Sequence, residues 1–266
     1  MSEIELIMLG TGTSAGIPMI GCHCSVCEST DPHDKRSRPS ALVSYDDLRI
    51  VIDTSPELRL QCIANRIDMI HTVVFTHAHA DHVMGLDDVR RFNAISGQPI
   101  DIWANEQTHA AVGRCFDYAF LPPHEGPRVF RPQLTKRVID GPFRIGSQAW
   151  IPIPLVHGEW PVLGFRVGGL AYCTDVSAIP EDSWSLLRDL DVLVLDALQI
   201  KKHPAHFNLE EAVDAAKRIG AGVTLFTHIA HGMAHAATNA TLPANMRLAF
   251  DGERVIAHAR RGDLAI

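Results

Sequence analysis

Short apolar runs rich in β-branched residues recur along the chain. They lie at Ile4 to Leu9, Leu48 to Asp53, Val73 to Thr76, Ile100 to Trp103, Trp150 to Val156, Phe165 to Val167, Leu170 to Thr174, Val192 to Asp196 and Val223 to Thr227. Such runs predict strands, so sheet dominates the framework. Helical patterns fall between several of them, at Pro56 to Arg66, His82 to Phe92, Glu106 to Phe120, Glu181 to Leu187 and Leu209 to Ile219. Asn208 followed three residues later by Glu211 predicts a capping box at the last of these. Gly168-Gly169, between Phe165-Arg166-Val167 and Leu170-Ala171-Tyr172, predicts a two-residue hairpin, and with it a mixed sheet. The Pro-rich stretch Leu121 to Pro132 reads as a long surface connection. With no linker or low-complexity segment to divide it, the chain reads as one domain over residues 1–266, of two similar halves meeting near residue 140.

Composition narrows the function. A chain of 266 residues with 46% hydrophobic side chains can bury a full core. Its formal charge of -7 argues against a broad phosphate-tracking surface and thus against general nucleic-acid binding. No run approaches the roughly 20 apolar residues of a membrane span, and the start Met1-Ser2-Glu3-Ile4-Glu5 lacks the signature of a signal peptide. The expected location is cytoplasmic, without membrane contact. Of six cysteines, three cluster at Cys22, Cys24 and Cys27, a grouping that reads as thiolate ligands rather than as a disulfide framework.

The chemistry is concentrated after the run Thr72-Val73-Val74-Phe75. There Thr76-His77-Ala78-His79-Ala80-Asp81-His82 packs three imidazoles and a carboxylate into six positions, offering His77 with His79 and Asp81 with His82 to two adjacent metal ions. Other apolar strands also end on possible ligands: Pro154-Leu155-Val156 on His157, Leu170 to Thr174 on Asp175, and Thr224-Leu225-Phe226-Thr227 on His228. Strand ends on one edge of a sheet can converge.

On these residues the chain resembles the metallo-β-lactamase-fold hydrolases, whose pattern is HxHxDH followed by a His, an Asp and a final His. The resemblance implies an α/β (α+β) four-layer αββα sandwich with the metal site at one edge. It also implies that His77, His79 and His157 hold one ion, that Asp81, His82 and His228 hold a second, and that Asp175 bridges both. Imidazole and carboxylate donors suit zinc, with manganese or iron as further options. Asp53, ending the strand Arg49-Ile50-Val51-Ile52, is either a carboxylate orienting one of the histidines or a simple strand-end cap.

Gly21-Cys22-His23-Cys24-Ser25-Val26-Cys27 is one ligand short of a closed tetrahedral site. His231, three residues after His228, is the best fourth donor, with His23 and His235 as alternatives. The same combination occurs in the branch resembling phosphoribosyl cyclic phosphate phosphodiesterase, in which three cysteines and a histidine bind a structural zinc. The opening Leu9-Gly10-Thr11-Gly12-Thr13-Ser14-Ala15-Gly16-Ile17-Pro18 resembles that branch too. Because no GK[ST] follows it and no helix begins there, it reads as active-site rim rather than as a nucleotide loop.

That branch implies two divalent ions, zinc or manganese, at the active site, one structural zinc, a small phosphorylated substrate, and dimerisation, which is common in it. The expected reaction is phosphodiester hydrolysis by a metal-bridging hydroxide, positioned with help from Asp81, while His206 protonates the leaving oxygen. The branch carries a histidine at the place of His206, and His203 is the local competitor. Two other readings are a tRNA 3′-processing-type endonuclease, for which no basic Gly-rich arm is present, and a non-catalytic metalloprotein of the pyrroloquinoline quinone biosynthesis group. The latter group shares Asp53-Thr54-Ser55-Pro56-Glu57-Leu58-Arg59 but tends to lose histidines that this chain keeps.

Overall fold

A computed structural model of the chain describes residues 3–122 and 130–260. In chain order, β1 (Glu3–Gly10), β2 (Ser40–Tyr45), β3 (Leu48–Ile52), β4 (Thr72–Val74), β5 (Ile100–Ala104) and β6 (Leu134–Val138) form one sheet. A second sheet contains β7 (Phe143–Ile145), β8 (Gln148–His157), β9 (Trp160–Val167), β10 (Leu170–Cys173), β11 (Val192–Asp196), β12 (Val223–Thr227) and β13 (Met246–Leu248). The last strand, β14 (Arg254–His258), crosses back to pair with β1. Both sheets are mixed. In the first, β3 to β6 run parallel and the rest antiparallel; in the second, β10 to β13 run parallel and β7 to β10 antiparallel.

Strand periodicity explains why the runs read as continuously apolar. Along β1, Ile4, Leu6 and Met8 face the inter-sheet core, whereas Ile7 and Leu9 pack under the helices. Along β11, Val192 and Val194 face the opposing sheet, whereas Leu193 and Leu195 face the other helix layer. Central strands are thus buried on both faces, and alternation of side chains places one apolar set on each. The result is the αββα sandwich, with α1 (Leu58–Ala64), α2 (Ala80–Val83), α3 (Arg90–Ser96) and α4 (Glu106–Cys115) accompanying the first sheet, and α5 (Leu209–Ile219) and α6 (His235–Asn239) the second.

Several expected elements differ in extent. The segment His82 to Phe92 is not one helix: α2 stops at Val83, a 3₁₀ turn covers Leu86–Val89, and α3 begins at Arg90. The break is at Gly85, where a Cβ would lie 1.9 Å from the Ser55 carbonyl oxygen, so the backbone there is pressed against the end of β3. Glu181–Leu187 is 3₁₀ rather than α, and the helix expected to reach Phe120 ends at Cys115, followed by a 3₁₀ turn at Asp117–Phe120. The capping box at Asn208 and Glu211 forms, and the Gly168-Gly169 hairpin pairs Val167 with Leu170. The connection expected at Leu121 to Pro132 has residues 123–129 outside the described residues.

The two sheets are joined by polar as well as apolar contact. Trp150 is fully buried and donates from Nε1 to the Tyr45 hydroxyl at 2.8 Å, and that hydroxyl donates to the Ile145 carbonyl at 2.9 Å. Tyr45→Phe removes the hydroxyl from both bonds and leaves a buried indole N–H unpaired. The expected loss is about 1–3 kcal/mol of stability in urea unfolding, with an unchanged m-value.

Candidate metal centre

Strand ends from both sheets meet at one edge. In the second sheet β10, β11 and β12 run parallel, so Asp175, Asp196 and His228 emerge on the same side. In the first, parallel β3 and β4 bring Asp53 beside Thr76 and His77. Asp53, Asp175 and His228 have φ of 60°, 58° and 59°. A non-glycine residue in this left-handed region costs of order 1–3 kcal/mol, and clusters of them mark sites whose geometry the surrounding fold imposes. The loop after β4 adds His77 and His79, and α2 adds Asp81 and His82. The His82 carbonyl accepts from Thr54 N at 2.7 Å, which fixes α2 to the end of β3.

Donor atoms of His77, His79, His157 and Asp175 all lie within 4.8 Å of one another, and so do those of Asp81, His82 and His228. Asp175 stands between the two sets. Its Oδ1 is 3.9 Å from His77 Nε2, 3.7 Å from His157 Nε2 and 3.4 Å from His228 Nε2, and its Oδ2 is 3.2 Å from His82 Nε2. Asp81 Oδ2 is 3.5 Å from both His82 Nε2 and His228 Nε2. Ligands held tetrahedrally at about 2.0–2.1 Å from one zinc are roughly 3.3 Å apart, so these separations suit groups arranged around cations. All of these residues are buried except His79, which is exposed at the mouth.

The nitrogens that face the centre lack other partners. His77 Nε2, His82 Nε2 and both ring nitrogens of His228 are buried without a hydrogen bond, a costly condition that a cation would relieve. The opposite nitrogens are held from behind. His82 Nδ1 donates to Asp53 Oδ2 at 2.7 Å, and Asp53 also accepts from Thr76 N at 2.9 Å and Thr76 Oγ1 at 2.7 Å. His157 Nδ1 donates to the Ala205 carbonyl at 2.7 Å. Such bonds fix tautomer and ring orientation and raise donor basicity. Between the two readings of Asp53, this geometry is that of the orienting carboxylate.

Electrostatics agree. Burial pushes the Asp175 carboxyl up, but His228 and His82 outweigh it and hold it well below the ordinary range; Asp81 is held low by the same two histidines against burial. Burial pushes His228 down, yet Asp175 and Asp81 carry it up to about 9, and Asp175 and Asp53 likewise raise His82. His77 is driven well down by burial and by His82. Two carboxylates thus remain ionised inside an imidazole cage, an arrangement complementary to positive charge.

His206, just before α5, reaches the same pocket. Its Nδ1 is 2.6 Å from Asp196 Oδ2, and its ring lies 4.5 Å from that of His157 and 4.6 Å from that of His228. Asp196 Oδ2 also accepts from Val176 N at 2.7 Å, and burial pushes the carboxyl up against the pull of His206. Asp196 did not stand out in the sequence, although its strand, Val192 to Leu195, carries the same signal of an apolar run ending on a carboxylate. His203 is exposed, with its ring 5.2 Å from that of His206, and its Nδ1 accepts from Ala205 N.

A second cluster lies beside the first. His231 Nδ1 is 3.1 Å from Cys22 Sγ, 3.4 Å from Cys24 Sγ and 3.8 Å from Cys27 Sγ. The Cys24 thiol is lowered to about 6 chiefly by the backbone N–H of Cys27, while burial raises Cys27 to about 11. A single thiolate-rich site of Cys₃His composition could hold zinc. His23 instead points to Glu28 at 2.9 Å and His235 contacts Asn239 at 3.0 Å, so neither joins the cysteines. The Gly-rich opening runs along the rim: Thr13 N donates to the Ile229 carbonyl at 3.1 Å, and Ile229 N to that of Thr11 at 2.9 Å.

Two measurements separate these clusters. Asp53→Asn should weaken retention of the edge metals about 10–100-fold in competition with a chelator. Cys27→Ser should remove one zinc equivalent by elemental analysis while leaving the edge metals bound.

Comparison with known proteins agrees with the fold. The model of the β-lactamase superfamily domain matches residues 48–229. A crystal structure of a new diphosphatase from the PhnP family is 42% identical, with a TM-score of 0.89, covering 96% of this chain and 97% of that one. Zinc-bound PqqB from Methylobacterium extorquens shares the fold at a TM-score of 0.75 and 20% identity, over 94% of this chain and 99% of that one. An octanoyltransferase of Porphyromonas gingivalis is 34% identical over 257 residues, 95% of this chain but 51% of that protein, so the chain spans about half the length of this curated relative. Among the described residues no helix is long and apolar enough to cross a membrane. With most of its length matched by that model and by the PhnP-family structure, the chain belongs to the β-lactamase superfamily, in the family of the PhnP-type diphosphatase.

Proposed function

We propose that this metal-dependent hydrolase cleaves small phosphate esters, phosphodiesters above all, at the edge site. The observation that carries the reading is the pairing of two converging ligand sets with a buried histidine, His206, whose Nδ1 is engaged by Asp196 and whose ring stands near Asp175 and His228, which with it form a third possible donor group. In this reading His77, His79 and His157 hold one divalent ion, Asp81, His82 and His228 hold the other, and Asp175 belongs to both. Bound there, two ions supply an activated water and charge stabilisation for a phosphoryl centre. Zinc and manganese both suit the donor set.

The remaining work falls to side chains of this chain. His206 donates a hydrogen bond from Nδ1 to Asp196, which orients the ring and stabilises its imidazolium form, in which Nε2–H delivers a proton to the leaving oxygen. Val176 N and the fold around Asp196 keep that carboxylate in place. Asp53 and the Ala205 carbonyl orient His82 and His157. The exposed His79 marks the side from which substrate enters. The diphosphatase activity named for the 42% identical structure is phosphoryl chemistry of the same kind and supports the assignment.

Acyl transfer, suggested by the name of the Porphyromonas gingivalis relative, finds less support in these residues. Cys173 ends β10 two positions before Asp175, but it is fully buried and burial lifts its thiol to about 12, which withholds a nucleophilic thiolate. The small phosphorylated substrate and the cytoplasmic location expected from the sequence, and a second copy of the chain as partner, are retained as parts of the proposal.

Turnover of bis(p-nitrophenyl) phosphate by the metal-loaded protein should be abolished by Asp175→Ala. On an alkyl diester, whose leaving oxygen needs a proton, His206→Ala should reduce kcat by about 10²–10⁴, with a smaller effect on the aryl ester. Asp196→Asn should follow His206→Ala in direction. Undiminished rates in both the Asp175 and His206 variants would overturn the assignment.

A further inference from the structure

The hairpin between β8 and β9 carries a feature that the hydrolytic machinery does not use. His157 ends β8 and its direct cross-strand partner is Trp160, the first residue of β9. Residues paired in this way project from the same face of the hairpin with Cβ atoms about 4.5–5.5 Å apart. The indole therefore stands beside an imidazole of the edge site. Yet Trp160 is 58% exposed, while Trp150 is fully buried and Trp184 is covered by the Arg218 guanidinium at 3.6 Å. Trp160 takes part in no ring or cation contact of this kind among the described residues.

The hairpin around Trp160 is rigid. Gly158 turns the chain at φ 62° and its N–H donates to Ser177 Oγ at 2.9 Å, and Pro161 follows the tryptophan directly. A Cβ on Gly158 would lie 3.2 Å from the Cβ of Ala205, so the turn is seated on the segment that carries His206. A large aromatic ring kept in water on a fixed frame loses little entropy when another planar ring covers it.

Resting on the hydrolase reading above, we infer that Trp160 is a specificity-determining residue: it stacks on a nucleobase or similar planar ring carried by a small phosphate ester whose phosphoryl group sits at the edge site. Charge limits the length of that substrate. Glu159 is exposed at the turn next to the indole, so a further phosphate there meets a carboxylate. The ring-bearing group is accordingly a single nucleoside rather than a polynucleotide chain. The reaction is unchanged: the oxygen of water bonds to phosphorus, the ester P–O bond breaks, and the leaving oxygen takes a proton from His206.

Calorimetric titration of the metal-loaded protein with AMP and with ribose 5-phosphate isolates the base, because the two ligands share sugar and phosphate. Wild type should bind AMP about tenfold or more tightly over ribose 5-phosphate, in line with base stacking on aromatics. Trp160→Ala should lose most of that preference with ribose 5-phosphate affinity unchanged, and Trp160→Phe should keep AMP within about threefold. Equal or absent binding of the two ligands by wild type, AMP affinity unaffected by Trp160→Ala, or a parallel loss for both ligands would overturn the inference. Preference for AMP that depends on Trp160, in a protein that does not hydrolyse bis(p-nitrophenyl) phosphate, would uphold the stacking residue and refute the phosphodiesterase reading.

Discussion

The Asp175 carboxylate is the interaction on which the rest of the site depends. It is 2% exposed, yet it stays ionised because four imidazole nitrogens approach it within 3.2–3.9 Å. Burial of an ionised carboxylate is tolerated only when positive or strongly polar groups surround it. Every ligand therefore has to be delivered by an element that cannot drift. That requirement accounts for the strand ends, for the left-handed residues at Asp53, Asp175 and His228, and for the hydrogen bonds that grip the outer nitrogens of His82 and His157.

The same logic extends outward through Asp196. It lies one strand over from Asp175, in register with the parallel ladder, and fixes His206 against the rings of His157 and His228. The candidate acid and the second sheet's share of the candidate ligands are thereby positioned by neighbouring strands. Loops add what strands cannot. The turn of α2 supplies two adjacent donors, Asp81 and His82, and the hairpin after β8 sets an exposed indole beside His157.

Much of this was legible in the sequence because the runs that form central strands are buried on both faces. Their ends stood out, and His77, His157, Asp175 and His228 are brought together as the pattern suggested. What escaped notice has several causes: the central strand β2 was missed because its apolar run is only Ala41-Leu42-Val43 between serines, and other strands because they lie at sheet edges. The four edge strands β6, β7, β13 and β14 have a neighbour on one side only, and β6, for example, buries Leu134 but exposes Lys136, Arg137 and Val138. Such strands have weak periodicity by their nature. The break at Gly85 was hidden for a different reason, since it is set by the carbonyl of Ser55, thirty residues earlier, and no local propensity reports such contact. Asp196 was missed because its value lies in a hydrogen bond to a residue ten positions away.

One consequence concerns how the halves of the molecule hold together. His77, His79, Asp81 and His82 follow strands of the first sheet, whereas His157, Asp175 and His228 follow strands of the second. The donor set exists only where the two sheets are docked, so a cation shared by both groups is a clamp across the sandwich. Once bound, its binding free energy would add to the stability of the fold by mass action. Removing such a cation would loosen the docking of the two sheets as well as empty the site.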